Sequence, residues 1–426
     1  MKYVIVGNGV ASIGAIEGIR RVDPEGPITV ISEEEFKTYG RPLISYFLAG
    51  KVTGERVNLR DDSFYQDNKV DLKLGQRVSR VDPEKKTIYL ENEEKIDFDK
   101  LLLATGGAPF CPPIPGADGQ DIYFFTTLEH AQTLDGICKK LKRVVVIGGG
   151  LIGLKAAESL FDRGVEVSIV ELAPRILSAA FDDVAGNIVA NRLKKLGFNI
   201  FCNTTAKEIK RETDGRVKGV LLQDGEFLEA DAVVIAIGVV PNVSLAKEAG
   251  INVNRGIVVD EKLMTSAPDV YAAGDVAEAL DFLWKEPRVT PIWPNAYAQG
   301  FIAGQNMAGV DREYAGGLAM NSIGFYGLPT ISVGIANPPE EQGYEVLTFV
   351  DEEKEVYRKL VFKDDKLVGC VLVGDVDKAG RYTGYIRLQI PVTQKIKFHL
   401  QNNEPTPLEW PEGIFQQKWN PQARLR

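Results

Sequence analysis

Two histidines, His130 and His399, and four cysteines, at positions 111, 138, 202 and 370, are all that 426 residues offer of those types. Neither histidine stands in a ligand or triad spacing, so both are read as surface or packing residues and no metal site is expected. No cysteine pair is spaced C-x-x-C or C-x-x-x-x-C, which excludes a local redox dithiol and a zinc knuckle. Isolated reduced thiols fit a cytoplasmic protein. No apolar run reaches the roughly 18 residues a membrane span needs, and the chain opens directly in a strand, leaving no room for a signal peptide. Acidic residues outnumber basic ones 59 to 50, a net charge of −9, so nucleic acid is not an expected partner.

Glycine and short buried runs are what the chain does have. Its 42 glycines and 44% hydrophobic content fit a large α/β protein, and the length allows about three domains of roughly 150 residues. Tyr3-Val4-Ile5-Val6 reads as a buried strand, and Gly7-Asn8-Gly9-Val10-Ala11-Ser12 turns the chain. Ile13 to Arg20 is apolar at helical spacing, and Ile28-Thr29-Val30-Ile31 ends at Ser32-Glu33. This is a dinucleotide-binding βαβ unit. Gly7 permits the tight turn, Gly9 lets backbone amides approach a pyrophosphate, and the terminal acid accepts ribose hydroxyls. Ser12 stands where a third glycine is usual, and Glu34 replaces Glu33 if the strand runs one residue longer.

The pattern then recurs. Val144 to Ile147 is a strand, Gly148-Gly149-Gly150-Leu151-Ile152-Gly153 fits G-x-G-x-x-G completely, and Leu154 to Arg163 reads as helix. The next strand, Val167 to Val170, ends at Glu171, placed as a ribose-binding acid should be. One such turn is a weak signal; two, each with strand, helix and acid, point to two dinucleotides. Between them Leu101 to Leu103 ends in Ala104-Thr105-Gly106-Gly107, and Pro109, Pro112, Pro113 and Pro115 mark a domain crossing. After a strand ending at Gly238 the chain returns to the first domain through Val270 to Asp275. Trp293-Pro294-Asn295-Ala296 precedes a helix expected over Ala298 to Met307. Strand-like alternation follows from about Glu313, then a helix over Asp375 to Gln389. The proline-rich tail is expected to pack through Trp410 and Trp419.

Over residues 1–316 these motifs resemble the FAD- and NAD(P)H-dependent pyridine nucleotide-disulfide oxidoreductase superfamily. The resemblance is to the branch without a redox disulfide: rubredoxin and ferredoxin reductases, apoptosis-inducing-factor-like proteins and the N-terminal half of nitrite reductases. It implies an α/β fold of two Rossmann-like domains, an NAD-binding domain (111–239) inserted in an FAD-binding domain (1–110 and 240–316). An α+β interface domain (317–400) and an extended tail (401–426) complete the chain. It implies FAD on the first unit, with Gly7, Gly9, Val10 and Ala11 at the pyrophosphate and Glu33 on the adenosine ribose. Arg41-Pro42 match the segment beside the pyrophosphate, and Val78 the adenine-holding position. Ala104-Thr105-Gly106 match the family's A-T-G segment, Asp275 its ribityl-binding acid, and Pro294 and Ala296 the segment at the flavin pyrimidine. NADH falls to the second unit, with Gly148, Gly150, Gly153, Gly238 and Glu171. The glutamate bonds two ribose hydroxyls and repels a 2′-phosphate, which favours NADH over NADPH.

Two departures shape the expected chemistry. Arg41 to Gly50 contains no cysteine, so a flavin-to-disulfide relay and a thiol-based NADH oxidase mechanism are both disfavoured. Relatives often pair a lysine near the flavin with a glutamate of the NAD unit; here Tyr46 and Lys155 hold those positions. Lys155 is read either as a catalytic charge supplied to the flavin from the opposite domain or as a solvated helix residue. The expected activity passes electrons from NADH through FAD to a one-electron protein acceptor: rubredoxin, ferredoxin or an iron–sulfur subunit. The direction is open to reversal. The alternatives are an NADH oxidase or diaphorase and an electron-transfer subunit of a larger complex. A homodimer is expected.

Overall fold

A computed structural model of the chain describes residues 1–340, 343–402 and 404. Trp410 and Trp419 lie outside the described residues. The chain forms two compact units, residues 1–176 with 194–318, and residues 177–193 with 319 onward.

The first unit begins with β1 (Tyr3–Val6), α1 (Val10–Arg20), β2 (Ile28–Ile31), the short α2 (Ile44–Leu48), β3 (Val70–Lys73) and β4 (Lys100–Leu103). The chain then leaves for a second sheet: β5 (Ile122–Tyr123), β6 (Arg143–Ile147), α3 (Leu151–Phe161), β7 (Glu166–Glu171), β8 (Asn199–Cys202) and β9 (Ala232–Ile235). It returns with β10 (Val270–Ala272) and α4 (Trp293–Met307). The first sheet has the order β10-β4-β1-β2-β3 and the second β8-β7-β6-β9-β5, every pairing parallel. One Rossmann-like domain is thus inserted in the other. All four residues of β1 are buried, as a central parallel strand with both faces covered requires. Each large side chain there contributes on the order of 2 kcal/mol of apolar burial.

Glycines let α1 and α4 touch backbone to backbone. A Cβ on Gly300 would sit 1.9 Å from the Ala11 carbonyl oxygen, and one on Gly18 2.2 Å from that of Phe301. This packing fixes the N-termini of both helices at one end of the first sheet.

Both helix starts differ from the sequence expectation. α4 begins at Trp293, not Ala298, because Pro294 lies in the first turn, where its missing N–H has no acceptor to satisfy. α3 begins at Leu151 with Gly150 as N-cap, so Gly153 lies inside the helix.

The second unit is a five-stranded antiparallel sheet in the order Met320–Phe325, Leu328–Gly334, Lys366–Val373, Val356–Lys363, Glu345–Asp351. The helix expected from Asp375 starts at Ala379 and runs to Leu388. Residues 177–193, which carry most of the helix Asp183–Leu196, group with this sheet. Asp182 accepts the Tyr357 hydroxyl at 2.6 Å and pairs with Lys359 at 3.0 Å. A buried charge of this kind persists only when paired.

Candidate functional site

The two glycine turns are geometrically alike. Gly7 (φ +107°) and Gly148 (φ +114°) take backbone angles that favour glycine, and a Cβ would meet a carbonyl oxygen at 2.2 Å (Ala104) or 2.3 Å (Ala236). Gly9 and Gly150, the helix N-caps, have no heavy atom within 4 Å of an added Cβ. One glycine of each pair therefore seals the turn against its neighbouring strand, and the other opens a bare helix N-terminus that suits a phosphate. Gly153 carries the third contact, 1.9 Å from the Gly148 carbonyl oxygen to an added Cβ. Ser12 meets the same need differently, donating its hydroxyl to the Gly7 carbonyl at 2.6 Å.

The acids after the second strands are not equivalent. Val6 pairs with Ile31 and Ile147 with Val170, and the Gly7 and Gly148 amides donate to those same two residues. Ser32 consequently occupies the place of Glu171, and Glu33 lies one residue further on. Glu171 is clamped: its carboxylate accepts the Gly149 amide at 2.6 Å and the Ala173 amide at 2.8 Å. Each oxygen keeps a lone pair for a ribose hydroxyl. Glu33 is an exposed side chain 3.5 Å from Arg77. Glu34 is the engaged one, accepting Tyr39 Oη at 2.6 Å and Arg41 Nη2 at 2.8 Å.

Arg41 also donates to the Thr126 carbonyl at 2.6 Å. Its charge reaches Asp275, whose carboxyl is pushed above the ordinary range by burial, with Arg41 opposing. Asp275 follows Gly274, where an added Cβ would lie 3.2 Å from Ala11 Cβ and 3.6 Å from Ala296 Cβ. So Ala11, Arg41, Asp275 and Ala296 converge on one face, with Pro294 in the adjoining helix turn. No protein group among the described residues hydrogen-bonds the Asp275 carboxylate. A partly buried acid without a partner, beside an open helix N-terminus, fits the ribityl hydroxyls and pyrophosphate of FAD. Val78 is buried at the start of the strand Val78–Asp82 and pairs with Leu90.

Asn242, which sequence reasoning did not single out, ties Ala104-Thr105-Gly106 to the crossing between sheets. Its amide donates to the Thr105 carbonyl and its carbonyl accepts Thr105 Oγ1, both at 2.9 Å. Gly107–Pro109 and Val239–Pro241 pair antiparallel there, and Gly106 and Gly238 face open space.

Lys155 is ion-paired with Glu158 at 2.5 Å, with 19% of its side chain exposed. The same helix and the residues just after it are bound to α2 and its following turn: Ser159 Oγ donates to the Ser45 carbonyl at 2.9 Å, Arg163 to that of Leu48 at 2.8 Å, and Lys51 pairs with Asp162 at 2.6 Å. The face carrying Lys155 is thereby held near the segment that follows Arg41 and Pro42. Tyr46 on α2 is half-exposed. His130 is half-buried, its Nδ1 3.3 Å from the Thr126 amide. No helix among the described residues is long and apolar enough to cross a membrane.

Two Rossmann-like domains with paired cradles define a two-dinucleotide oxidoreductase. The chain belongs to the pyridine nucleotide-disulphide oxidoreductase family, matched over residues 1–300, and residues 320–390 match the rubredoxin NAD+ reductase C-terminal domain. With the family come FAD and NADH. The nitrite reductase [NAD(P)H] of Bacillus subtilis is 34% identical over 401 residues, 94% of this chain but 49% of that protein. The chain thus spans about half the length of that relative. The NADH-dependent phenylglyoxylate dehydrogenase subunit epsilon of Aromatoleum evansii is 36% identical over 85% of this chain and 86% of that one. Among solved structures, the covalent putidaredoxin reductase–putidaredoxin complex aligns with a TM-score of 0.85 at 26% identity, covering 98% of each chain.

Proposed function

We propose that the protein carries electrons from NADH through FAD to a small one-electron iron–sulfur protein. The observation that carries this reading is two open cradles with no cysteine between Arg41 and Gly50 to take electrons into a disulfide. The match to a rubredoxin NAD+ reductase C-terminal domain supports the same acceptor class. When bound, FAD supplies the step from two-electron to one-electron chemistry, so one NADH reduces two carriers and releases one proton. The chain's own residues bind and orient. Gly9 and Gly150 would admit pyrophosphates to helix N-termini, Asp275 and Glu171 would offer acceptors to sugar hydroxyls, and the N-terminus of α4 would supply positive potential to the flavin. Lys155, held by Glu158, adds a fixed cation on the helix that packs against α2.

A second reading, an electron-transfer subunit of a larger assembly, is favoured by the 36% identity to a dehydrogenase subunit. Anaerobic turnover separates the two. The flavin-loaded protein with NADH should reduce a free rubredoxin many times per minute and oxygen slowly. Flavin reduction without turnover on a panel of free carriers would support the subunit, and rapid turnover with oxygen alone would refute both.

A further inference from the structure

Tyr39 reaches from the FAD-binding part of the first unit to the inserted domain. Its ring is buried, and its Oη donates to Glu34 at 2.6 Å and accepts the Leu128 amide at 3.1 Å. Burial pushes that hydroxyl well above its ordinary value, so at neutral pH it stays a donor to Glu34. Leu128, also buried, is the first residue of the helix Leu128–Cys138, and its amide has no acceptor within the helix. Thr127 Oγ1 accepts the His130 amide at 3.2 Å. The helix start is therefore capped once by its own segment and once from the other domain. A buried amide of this kind requires a partner, and Tyr39 supplies it.

Each end of this contact leads to a glycine turn. The helix Leu128–Cys138 joins β5 to β6, the strand that runs into Gly148, and its Asp135 pairs with Arg163 at 2.6 Å just after α3. A displacement at Leu128 is passed to the strand that carries the second turn. On the other side Tyr39 follows Thr38, whose hydroxyl lies 2.7 Å from Asn8 Oδ1 and 2.9 Å from Tyr65 Oη. Asn8 is the middle residue of the Gly7–Gly9 turn. The Tyr39 ring is held by the Arg41 guanidinium, 5.5 Å from its centre, and by Phe36 edge-on at 6.4 Å. The hydroxyl is thus a fixed point tied to both turns.

We infer that Tyr39 is a positioning residue for flavin reduction: its hydroxyl sets the NAD-binding domain against the FAD cradle. The assignment rests on the division of FAD and NADH between the two turns and adds what holds the cradles in register. The step moves a hydride, two electrons with one proton, from NADH, which is oxidised, to FAD, which is reduced. Such a step needs reacting atoms about 3–3.5 Å apart, and a misplacement of about 1 Å can cost on the order of 100-fold in rate. Tyr39 acts through Leu128 and Thr38 rather than on the reacting atoms. Arg41 holds the neighbouring Thr126 carbonyl at 2.6 Å, so loss of the hydroxyl leaves one strut in place and the fold intact.

The test compares wild type with Tyr39→Phe and Leu128→Pro, which remove the acceptor and the donor of one bond. Proline suits a first helical position, and Thr127, extended at φ −122° and ψ 164°, can precede it. In the flavin-loaded protein, anaerobic stopped-flow reduction at saturating NADH should slow at least fivefold in each variant. Flavin content, the Kd for NADH and reduction by dithionite should stay within twofold. The long-wavelength charge-transfer absorbance of the NADH–flavin complex should fall with the rate. In the Tyr39→Phe apoprotein, hydrogen exchange at the Leu128 amide should quicken at least tenfold. The double variant should be at most twofold slower than the slower single, since both lose the same bond. An unchanged rate and charge-transfer band in Tyr39→Phe, with or without faster exchange, overturns the positioning role. Losses that multiply in the double variant overturn it as well. A wild type whose flavin NADH does not reduce overturns the cofactor division itself, and the assignment with it.

Discussion

Replacing Gly7 and Gly9 separately by alanine should split folding from cofactor binding within one turn. At Gly7 the φ of +107° costs a side chain about 1–2 kcal/mol. The added Cβ would also lie 2.2 Å from the Ala104 carbonyl oxygen, well inside the 3.4 Å of ordinary contact. Both partners are backbone, so relief demands movement of β4 against β1, at about 1–3 kcal/mol for overpacking. The sum, about 2–5 kcal/mol, falls on the apoprotein. Gly9 has φ −92° and ψ −171°, open to any residue, and an added Cβ meets nothing within 4 Å. Its replacement costs the fold on the order of 0.5–1 kcal/mol at the N-cap, where glycine is preferred to alanine, offset by a similar gain from lower unfolded-chain entropy. The new methyl instead occupies the space through which a pyrophosphate reaches the helix amides. Gly9→Ala should keep the apoprotein's thermal midpoint and lose FAD affinity tenfold or more, about 1.4 kcal/mol or above. Thermal unfolding of the apoprotein and the flavin-to-protein absorbance ratio after reconstitution read the two effects. If Gly9→Ala unfolds the apoprotein as readily as Gly7→Ala, or leaves flavin content untouched, the assignment of seal and opening is wrong.

Glu171→Ala should raise the KM for NADH, narrow the gap to NADPH and leave flavin content unchanged, as steady-state kinetics would read. Glu33→Ala and Glu34→Ala should act on flavin content instead. Lys155→Met should lower the flavin midpoint potential and slow reduction by NADH; an unchanged potential and rate would remove Lys155 from the site. Asp275 sets a pH dependence. Its carboxyl is held above the ordinary range in the folded apoprotein, so its favourable share of stability is complete below the unfolded value near 3.9 and fades as pH rises through the folded value. Asp275→Asn should therefore raise the apoprotein's thermal midpoint at neutral pH, show a shrinking gain towards pH 4, and bind FAD more weakly.

What the sequence shows of this site is what a short stretch can encode. Gly7, Gly9, Gly148 and Gly150 sit within turns and Gly153 in the helix turn that follows, and their spacing is enough to suggest their places without a fold. The two-sheet insertion is equally legible, because buried runs ending in small residues mark each strand of a parallel sheet. Asn242 was hidden because it meets Thr105 across 137 residues of sequence. The contact of Ser159 with Ser45 was hidden for the same reason. Glu34 stands out in the sequence only as a substitute for Glu33, since the direction of adjacent side chains after a strand depends on where pairing stops. Pro294 displaced the expected helix start, because proline reads as a breaker unless its place in the first turn is known. The grouping of residues 177–193 with the C-terminal sheet rests on Asp182 meeting Tyr357 and Lys359, a partnership no local pattern announces.

The two turns themselves do not say which cofactor each holds. Their sealing contacts differ by 0.1 Å, 2.2 against 2.3 Å, and both N-caps open on empty space. The discrimination lies in what flanks them. Beside the first stands Asp275, an acid with no hydrogen-bond partner among the described residues, together with the start of α4 and an arginine within electrostatic reach. Beside the second stands Glu171, whose oxygens are fixed by two amides at the end of β7. An unpartnered acid along a groove suits a polyol chain such as ribityl; a clamped acid at a strand end suits the vicinal hydroxyls of one ribose. Moving the acid by a single residue, from the Glu171 place to Glu33, frees the first cradle from that clamp and leaves Ser32, 7% exposed, in its stead. These neighbours support the proposed assignment of FAD to the first unit and NADH to the second, and Ser32→Glu is the substitution that should install the second cradle's acid in the first.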